Sequence, residues 1–350
     1  RNEGSLLQCA TLVRREREQA PDLLLLDCGD VVQGTAASFQ TRGGIMAVAM
    51  NAMGYDAYVP GNHEFDWGFD ALAGFMDRMQ APALAANLVV GPEAPAAFRR
   101  VLPFLVKEID GIRVAVVGLT NPNIPNWTRG TAEAGLEFLD SRRALEQTLP
   151  LVRREKPHVM ILLVHQGYLR RDDAANQLNA IGRRFGEFDL MLGGHLHMVS
   201  TKMQIGKLTY GQAGAGAQGV LRVKLTFDTV KNAVTDKQLE FLPVEPDLPE
   251  DPDIYAQVAD DLARADEWLG TVLGHTQSEL VASLAMPGLC PVQQLLCAAI
   301  AEKTGADAVL HGLLTMKSVP AGEFRVADAF KIVPYENTAG VLALTPAEIR

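Results

Sequence analysis

Gly61-Asn62-His63-Glu64-Phe65-Asp66-Trp67-Gly68 is the stretch on which the reading of this chain turns. Between its glycines stand an amide, an imidazole and two carboxylates. The apolar lead-in Ala57-Tyr58-Val59 reads as a buried strand. Open α/β sheets gather their ligands just past the carboxyl ends of strands, which is where this octet falls. Asn62 and Asp66 offer oxygen to a hard cation, and His63 can bind metal or move a proton. The octet is equally compatible with an Asn/Gly-rich turn closed by a capping Asp.

Recurrence favours chemistry. Asp27-Cys28-Gly29-Asp30 follows the run Leu23-Leu24-Leu25-Leu26, and His165-Gln166-Gly167 follows Val159–Val164. Gly193-Gly194-His195-Leu196-His197 follows a further short strand pattern at 189–192. Each has a plain alternative: helix-capping aspartates, a core histidine, polar residues of a Gly-rich loop. A parallel sheet brings its strand ends to one edge, so four ligand-bearing ends in one chain point to one site. The donor set is carboxylate, amide and imidazole without thiolate. It suits Mn, Fe or Zn better than Mg or Ca alone, and its size suggests two cations ~3.5–4 Å apart.

The 350 residues suggest two domains, at ~100–200 residues each. A net charge of −10 disfavours a nucleic-acid polymer as partner, though not a small phosphorylated substrate held by cations. No apolar run approaches the ~20 residues that span a bilayer. Cys9, Cys28, Cys290 and Cys297 form no CxxC pair and decide neither compartment nor metal.

Periodicity predicts helices over 6–20, 45–53, 71–79, 141–155 and 173–185. Strands are predicted over 22–30, 57–59, 83–88, 101–109, 113–118, 159–164, 189–192, 208–210 and 220–227, with a hairpin at Asp110-Gly111. Residues 120–130 read as a long Asn/Pro loop, and 243–252 as a Pro/acidic linker. A helix capped by Asp251 then runs to about Leu269, ahead of a second α/β domain from 271. Thr345-Pro346-Ala347-Glu348 reads as a helix start with N-cap, Pro at the first helical position and a capping-box Glu. The chain opens on Arg1 without a signal-peptide pattern and is read as a piece of a longer protein.

In order, these four motifs resemble those of the calcineurin-like metallophosphoesterase superfamily and, within it, the 5′-nucleotidase/2′,3′-cyclic phosphodiesterase family. The resemblance implies an α/β fold: a four-layer α/β/β/α sandwich followed by a partial second α/β domain. The expected division is a catalytic domain over 1–245, a linker and connecting helix over 246–270, and a partial substrate domain over 271–350. It also implies two divalent cations. Asp30 resembles the carboxylate that bridges them, Asn62, His165 and His195 ligands of one, and His197 a ligand of the other. His63 and Asp66 resemble the catalytic dyad, and Glu64 serves the turn rather than the metal. The implied activity is hydrolysis of a phosphomonoester or cyclic phosphodiester by water that the cations activate. The implied partner is a small phosphorylated substrate such as a nucleotide, in a periplasmic or other extracytoplasmic setting.

Two features depart from the family. Its opening Asp-x-His is absent, so the chain is expected to lack the first strand and two ligands with it. Its nucleotide-contacting Asn-x-Gly-Gly-x-Arg is here His311-Gly312-Leu313-Leu314-Thr315-Met316. A thiosulfohydrolase-like sulfur-ester hydrolase and a catalytically silent ligand-binding protein are the alternatives. The intact Asn62-His63-Glu64 disfavours the first and the His63–Asp66 pair the second.

Overall fold

The computed structural model describes residues 4–285, 289–335 and 337–349. The chain divides into two compact units, Arg1–Gln33 with Thr41–Ala259, and Gly34–Gln40 with Asp260–Arg350.

The first unit is built on a six-stranded sheet, in the order Phe104–Ile109, Ile112–Leu119, Val159–Val164, Leu190–Gly193, Leu208–Ala213, Val199–Ile205. The two edge pairs are antiparallel and the central ones parallel. Val159–Val164 is apolar throughout because both of its faces are covered. Met160, Leu162 and Val164 point into one core, with Leu145, Leu149 and Val152 of helix Ser141–Arg154 and Leu178 and Ile181 of helix Leu178–Arg184. Val159, Ile161 and Leu163 point into another, shared with Ala57, Val59 and Leu84.

These last residues belong to a second sheet. Leu26–Asp27 pairs in parallel with Ala57–Tyr58, and single bridges extend it through Tyr58–Ala83 and Leu84–Leu102. Tyr58 faces away from the inter-sheet core. It packs with Ala47 and Met50 of helix Gly44–Met53 and Leu72 and Phe75 of helix Phe69–Arg78. Helices, sheet, sheet and helices thus make the four layers expected. A long hairpin, Gly219–Asp228 with Ala233–Pro243, lays Val223, Leu225, Phe227 and Leu239 on the inter-sheet core.

Several sequence expectations need correction. The strand expected over 22–30 is only Leu26–Asp27, and that over 83–88 is reduced to the bridges at Ala83 and Leu84, with Leu88–Val90 pairing separately with Leu136–Phe138. The helix expected from 173 begins at Leu178. Asp173 Oδ1 instead accepts from the amides of Ala175 (2.9 Å) and Asn176 (2.7 Å), the local side-chain bonding that competes with helix. Strands Val199–Ile205 and Ala233–Pro243 add to those expected, and the 120–130 loop contains a helical turn, Ile124–Trp127.

The stretch read as a linker is tied to the first helix, Leu6–Gln19. Gln8 Nε2 donates to Leu248 O (2.8 Å), the Thr11 hydroxyl to Pro249 O (2.8 Å) and the Asp251 amide to Leu7 O (3.0 Å). Asp251 caps Pro252–Leu269 through the amides of Asp253 (3.0 Å) and Ile254 (3.1 Å). The second unit has its own antiparallel strand pair, Val272–Thr276 with Gly322–Arg325, and helices Pro291–Thr304 and Val326–Ile332. Cys290, Val292, Val319 and Ile332 form its small core.

Candidate metal centre

After Ala57–Tyr58 the chain enters a 3₁₀ turn, His63–Phe65. At three residues per turn, positions i and i+3 eclipse, so His63 and Asp66 come face to face. His63 Nδ1 donates to Asp66 Oδ2 at 2.6 Å, a carboxylate oxygen being able only to accept. Phe65, 1% exposed, anchors the turn edge-on against Phe138 (5.7 Å) and Phe69 (6.4 Å). Burying such a ring contributes about 1.5–3 kcal/mol.

Glu64 locks this turn to the neighbouring one. Its Oε1 accepts from the amides of Val31 (2.7 Å) and Val32 (3.3 Å), and its Oε2 from those of Asp30 (2.9 Å) and Gly61 (2.5 Å). The Asp30 carboxylate returns a contact, accepting from the His63 amide at 2.9 Å. The approach is close enough to require glycine. A Cβ on Gly61 would lie 2.2 Å from Asp30 Oδ1, and one on Gly29 2.5 Å from the Gly61 nitrogen. Asp30 (φ 64°), His195 (φ 69°) and His197 (φ 54°) all take the left-handed backbone that side chains other than glycine rarely adopt. Strain of this kind gathers where a side chain must be aimed.

Asp30, Asn62, His165 and His195 converge. Asp30 Oδ2 is 3.0 Å from His165 Nε2. Asn62 Oδ1 is 3.1 Å from His165 Nε2 and 3.0 Å from His195 Nδ1. Ligand atoms of Asp30, His165 and His195 all lie within 4.8 Å of one another. Neighbouring donors about 3 Å apart suit ligands that each sit ~2.0–2.2 Å from one cation.

Hydrogen bonding makes the same case. His165 Nδ1 must donate to the Cys28 carbonyl, 2.6 Å away. In a neutral ring Nε2 is then a lone pair facing two oxygen acceptors, which only a proton or a cation relieves. The four residues therefore fit a divalent metal of the Mn, Fe or Zn kind.

The charges agree. Burial disfavours a charged Asp30, yet His165 and His63 hold its carboxyl well below the usual range. Burial, helped by His165, lowers His195 to about 4 and keeps it a neutral ligand. At His165 burial also opposes protonation, but Asp30 outweighs it and raises the pKa. His63 follows the same pattern: against burial, the bond to Asp66 and the charge of Asp30 raise it to about 9.

Not every candidate joins this cluster. Asp27 turns back to accept from the Gly29 amide (2.7 Å), and burial pushes its carboxyl up to about 6. His197, the expected ligand of a second cation, is exposed and contributes no atom to the cluster. Buried polar residues without any sequence signature also hold the site together. Asn87 exchanges two 2.9 Å bonds with the backbone of Thr120, whose hydroxyl donates to Pro60 O (2.6 Å). Asn121 Nδ2 donates to His165 O at 3.1 Å.

The chain is similar to several known phosphoesterases. The trifunctional nucleotide phosphoesterase YfkN of Bacillus subtilis is 26% identical over 97% of this chain and 26% of its own length. Mouse 5′-nucleotidase is 27% identical over 97% of this chain and 62% of its own. The chain thus spans from about a quarter to about three-fifths of these two relatives. A 5′-nucleotidase structure from Staphylococcus aureus superposes with a TM-score of 0.81, at 22% identity over 95% of this chain and 67% of that one. A sulfate thiohydrolase, SoxB of Thermus thermophilus, shares the fold at a TM-score of 0.72, with 21% identity over 95% of this chain and 60% of that one. The sequence pattern of calcineurin-like phosphoesterases runs through residues 3–199, taking in all four ligand-bearing strand ends, and the chain belongs to that family.

Proposed function

We propose that this chain carries the catalytic unit of a metal-dependent hydrolase of small phosphate esters, nucleotidase-like in its reaction. The observation that carries the reading is the donor cluster of Asp30, Asn62, His165 and His195, joined by the 2.9 Å bond from the His63 amide to a His–Asp dyad. Asp30, Asn62, His165 and His195 would hold one cation, and Asp30 and His197 would serve a second. Such cations polarise a phosphoryl group and lower the pKa of water towards neutrality.

The rest falls to the chain's own groups. His63, its Nδ1 engaged by Asp66, acts through its other ring nitrogen. It stabilises negative charge on the phosphoryl oxygens or donates a proton to the leaving oxygen. Asp66 fixes the ring. A silent binding protein has no use for an imidazole so oriented, which disfavours that alternative.

The test combines metal content with turnover. Asp30→Asn is expected to lose bound Mn and activity together. His63→Ala is expected to keep the metal and lose turnover by roughly 10²–10⁴-fold, the scale of a general acid–base group. Loss of metal in His63→Ala would make that residue a ligand. A wild-type protein that binds Mn yet turns over no phosphoester would overturn the reading.

A further inference from the structure

Trp127 ends the helical turn Ile124–Trp127 and stands 47% exposed. The backbone that carries it is fixed. Ile124 and Asn121 are fully buried, the Asn123 amide donates to Asn121 Oδ1 (3.0 Å) and the Thr128 amide to Ile124 O (2.8 Å). The Asn121 side chain in turn holds the carbonyl of His165, so the indole is indexed to the ligand cluster itself. Its ring lies against His195, with centroids 5.4 Å apart and planes inclined by 30°. An indole placed on a rigid support at the rim of a site, with much of its surface left to solvent, offers that surface to a planar guest.

We infer that Trp127 is the stacking platform for the leaving group and selects phosphate esters whose leaving group carries a flat aromatic ring, an aryl group or the base of a nucleoside, over esters of purely aliphatic alcohols. A π-face accepts any flat ring, so the residue reads aromaticity and not the identity of a base. Exposed Asn126 and Arg129 beside it can meet polar substituents without contributing to the stack. The inference rests on the phosphoesterase reading.

The experiment compares the wild type, Trp127→Phe and Trp127→Ala, all loaded with Mn. Each is assayed on phenyl phosphate, AMP and glycerol phosphate. Comparing the effect of each substitution between substrates cancels their intrinsic reactivities. Trp127→Ala is expected to raise KM for the two aromatic substrates roughly 2- to 12-fold, the scale of one aromatic pair. KM for glycerol phosphate stays unchanged, and Trp127→Phe recovers most of the loss. The second readout needs no turnover. Phenyl phosphate titrated into metal-free protein should quench tryptophan fluorescence in the wild type. In Trp127→Phe, with Trp67 and Trp268 as background, the quench should vanish.

Equal losses on all three substrates would make Trp127 a support for His195 and overturn the platform. So would quenching that survives in Trp127→Phe. If the wild type hydrolyses none of the esters, the phosphoesterase reading fails, while the fluorescence titration still decides whether Trp127 stacks on aromatic rings.

Discussion

Glu64→Gln isolates what holds the two ligand loops together. The carboxylate takes four backbone amides, two on each oxygen. Glutamine keeps the shape but exchanges one oxygen for an NH₂ group, which would face two N–H donors. Two charge-assisted bonds are lost, at about 1.5–3 kcal/mol each, and part of that is offset because a buried charge disappears with them. A net cost of about 2–4 kcal/mol remains. For a unit of this size, each kcal/mol lowers Tm by about 2–4 °C, so the first unit should melt roughly 4–16 °C lower.

The assay is calorimetry of the metal-free protein, followed by Mn titration. Mn affinity should also fall, because the Asp30 amide is no longer latched. The variant discriminates sharply for one reason. Burial and the nearby Asp30 push the Glu64 carboxyl up to about 7, and a protonated carboxyl resembles glutamine in both charge and hydrogen bonding. A cost under about 1 kcal/mol with unchanged Mn affinity would refute the argument that an ionised Glu64 is the latch.

Three further outcomes are expected. Asp66→Asn should leave metal content intact and lower kcat roughly 10- to 100-fold, the usual cost of losing an orienting partner, as measured by steady-state kinetics beside metal analysis. Met316 stands where the resembling family has an arginine, so kcat/KM for AMP should not exceed that for a simple aryl phosphate. A strong preference for AMP that no change at Met316 or its neighbours abolishes would contradict this. The Cys9 thiol, donating to Ala217 O at 3.3 Å, is raised by burial to about 11, so its protonated form adds stability below about pH 9 that is lost as the pH climbs towards 11. At pH 9 its alkylation, followed by mass spectrometry, should therefore run at least roughly 50-fold slower than that of a free thiol, since burial also limits access.

The architecture was legible where the chain repeats one local signal: an apolar run, then a turn rich in glycine and ligand-type side chains. Val159–Val164 ahead of His165 is the clearest case, since a strand covered on both faces leaves little ambiguity in its sequence. His63 and Asp66 were also readable, because three residues is a spacing that any tight turn brings together. The edges of both sheets were harder. Leu26–Asp27 is paired over two residues although its apolar run is longer, and Val199–Ile205, with Lys202 and Gln204 on its open face, resembles a loop. Asn87, Thr120 and Asn121 had no sequence signature at all. Their partners are backbone groups of residues 33, 60 and 44 positions away, contacts that composition and periodicity do not record.

The bonds that close the candidate centre are long in sequence. His165 meets Cys28 across 137 residues, and His195 meets Asn62 across 133. The entropic cost of closing such loops comes before any of these contacts forms, so contacts of this span fall late in folding. Both sheets must be assembled before four donors can share a point. A divalent cation held by these donors would therefore report the finished first unit and be silent in any intermediate that has only one sheet. By the same logic, a bound cation chiefly slows unfolding, because the transition state on that path has not yet gathered its ligands. The protein's lifetime in its working fold would then be set in part by the metal supply around it.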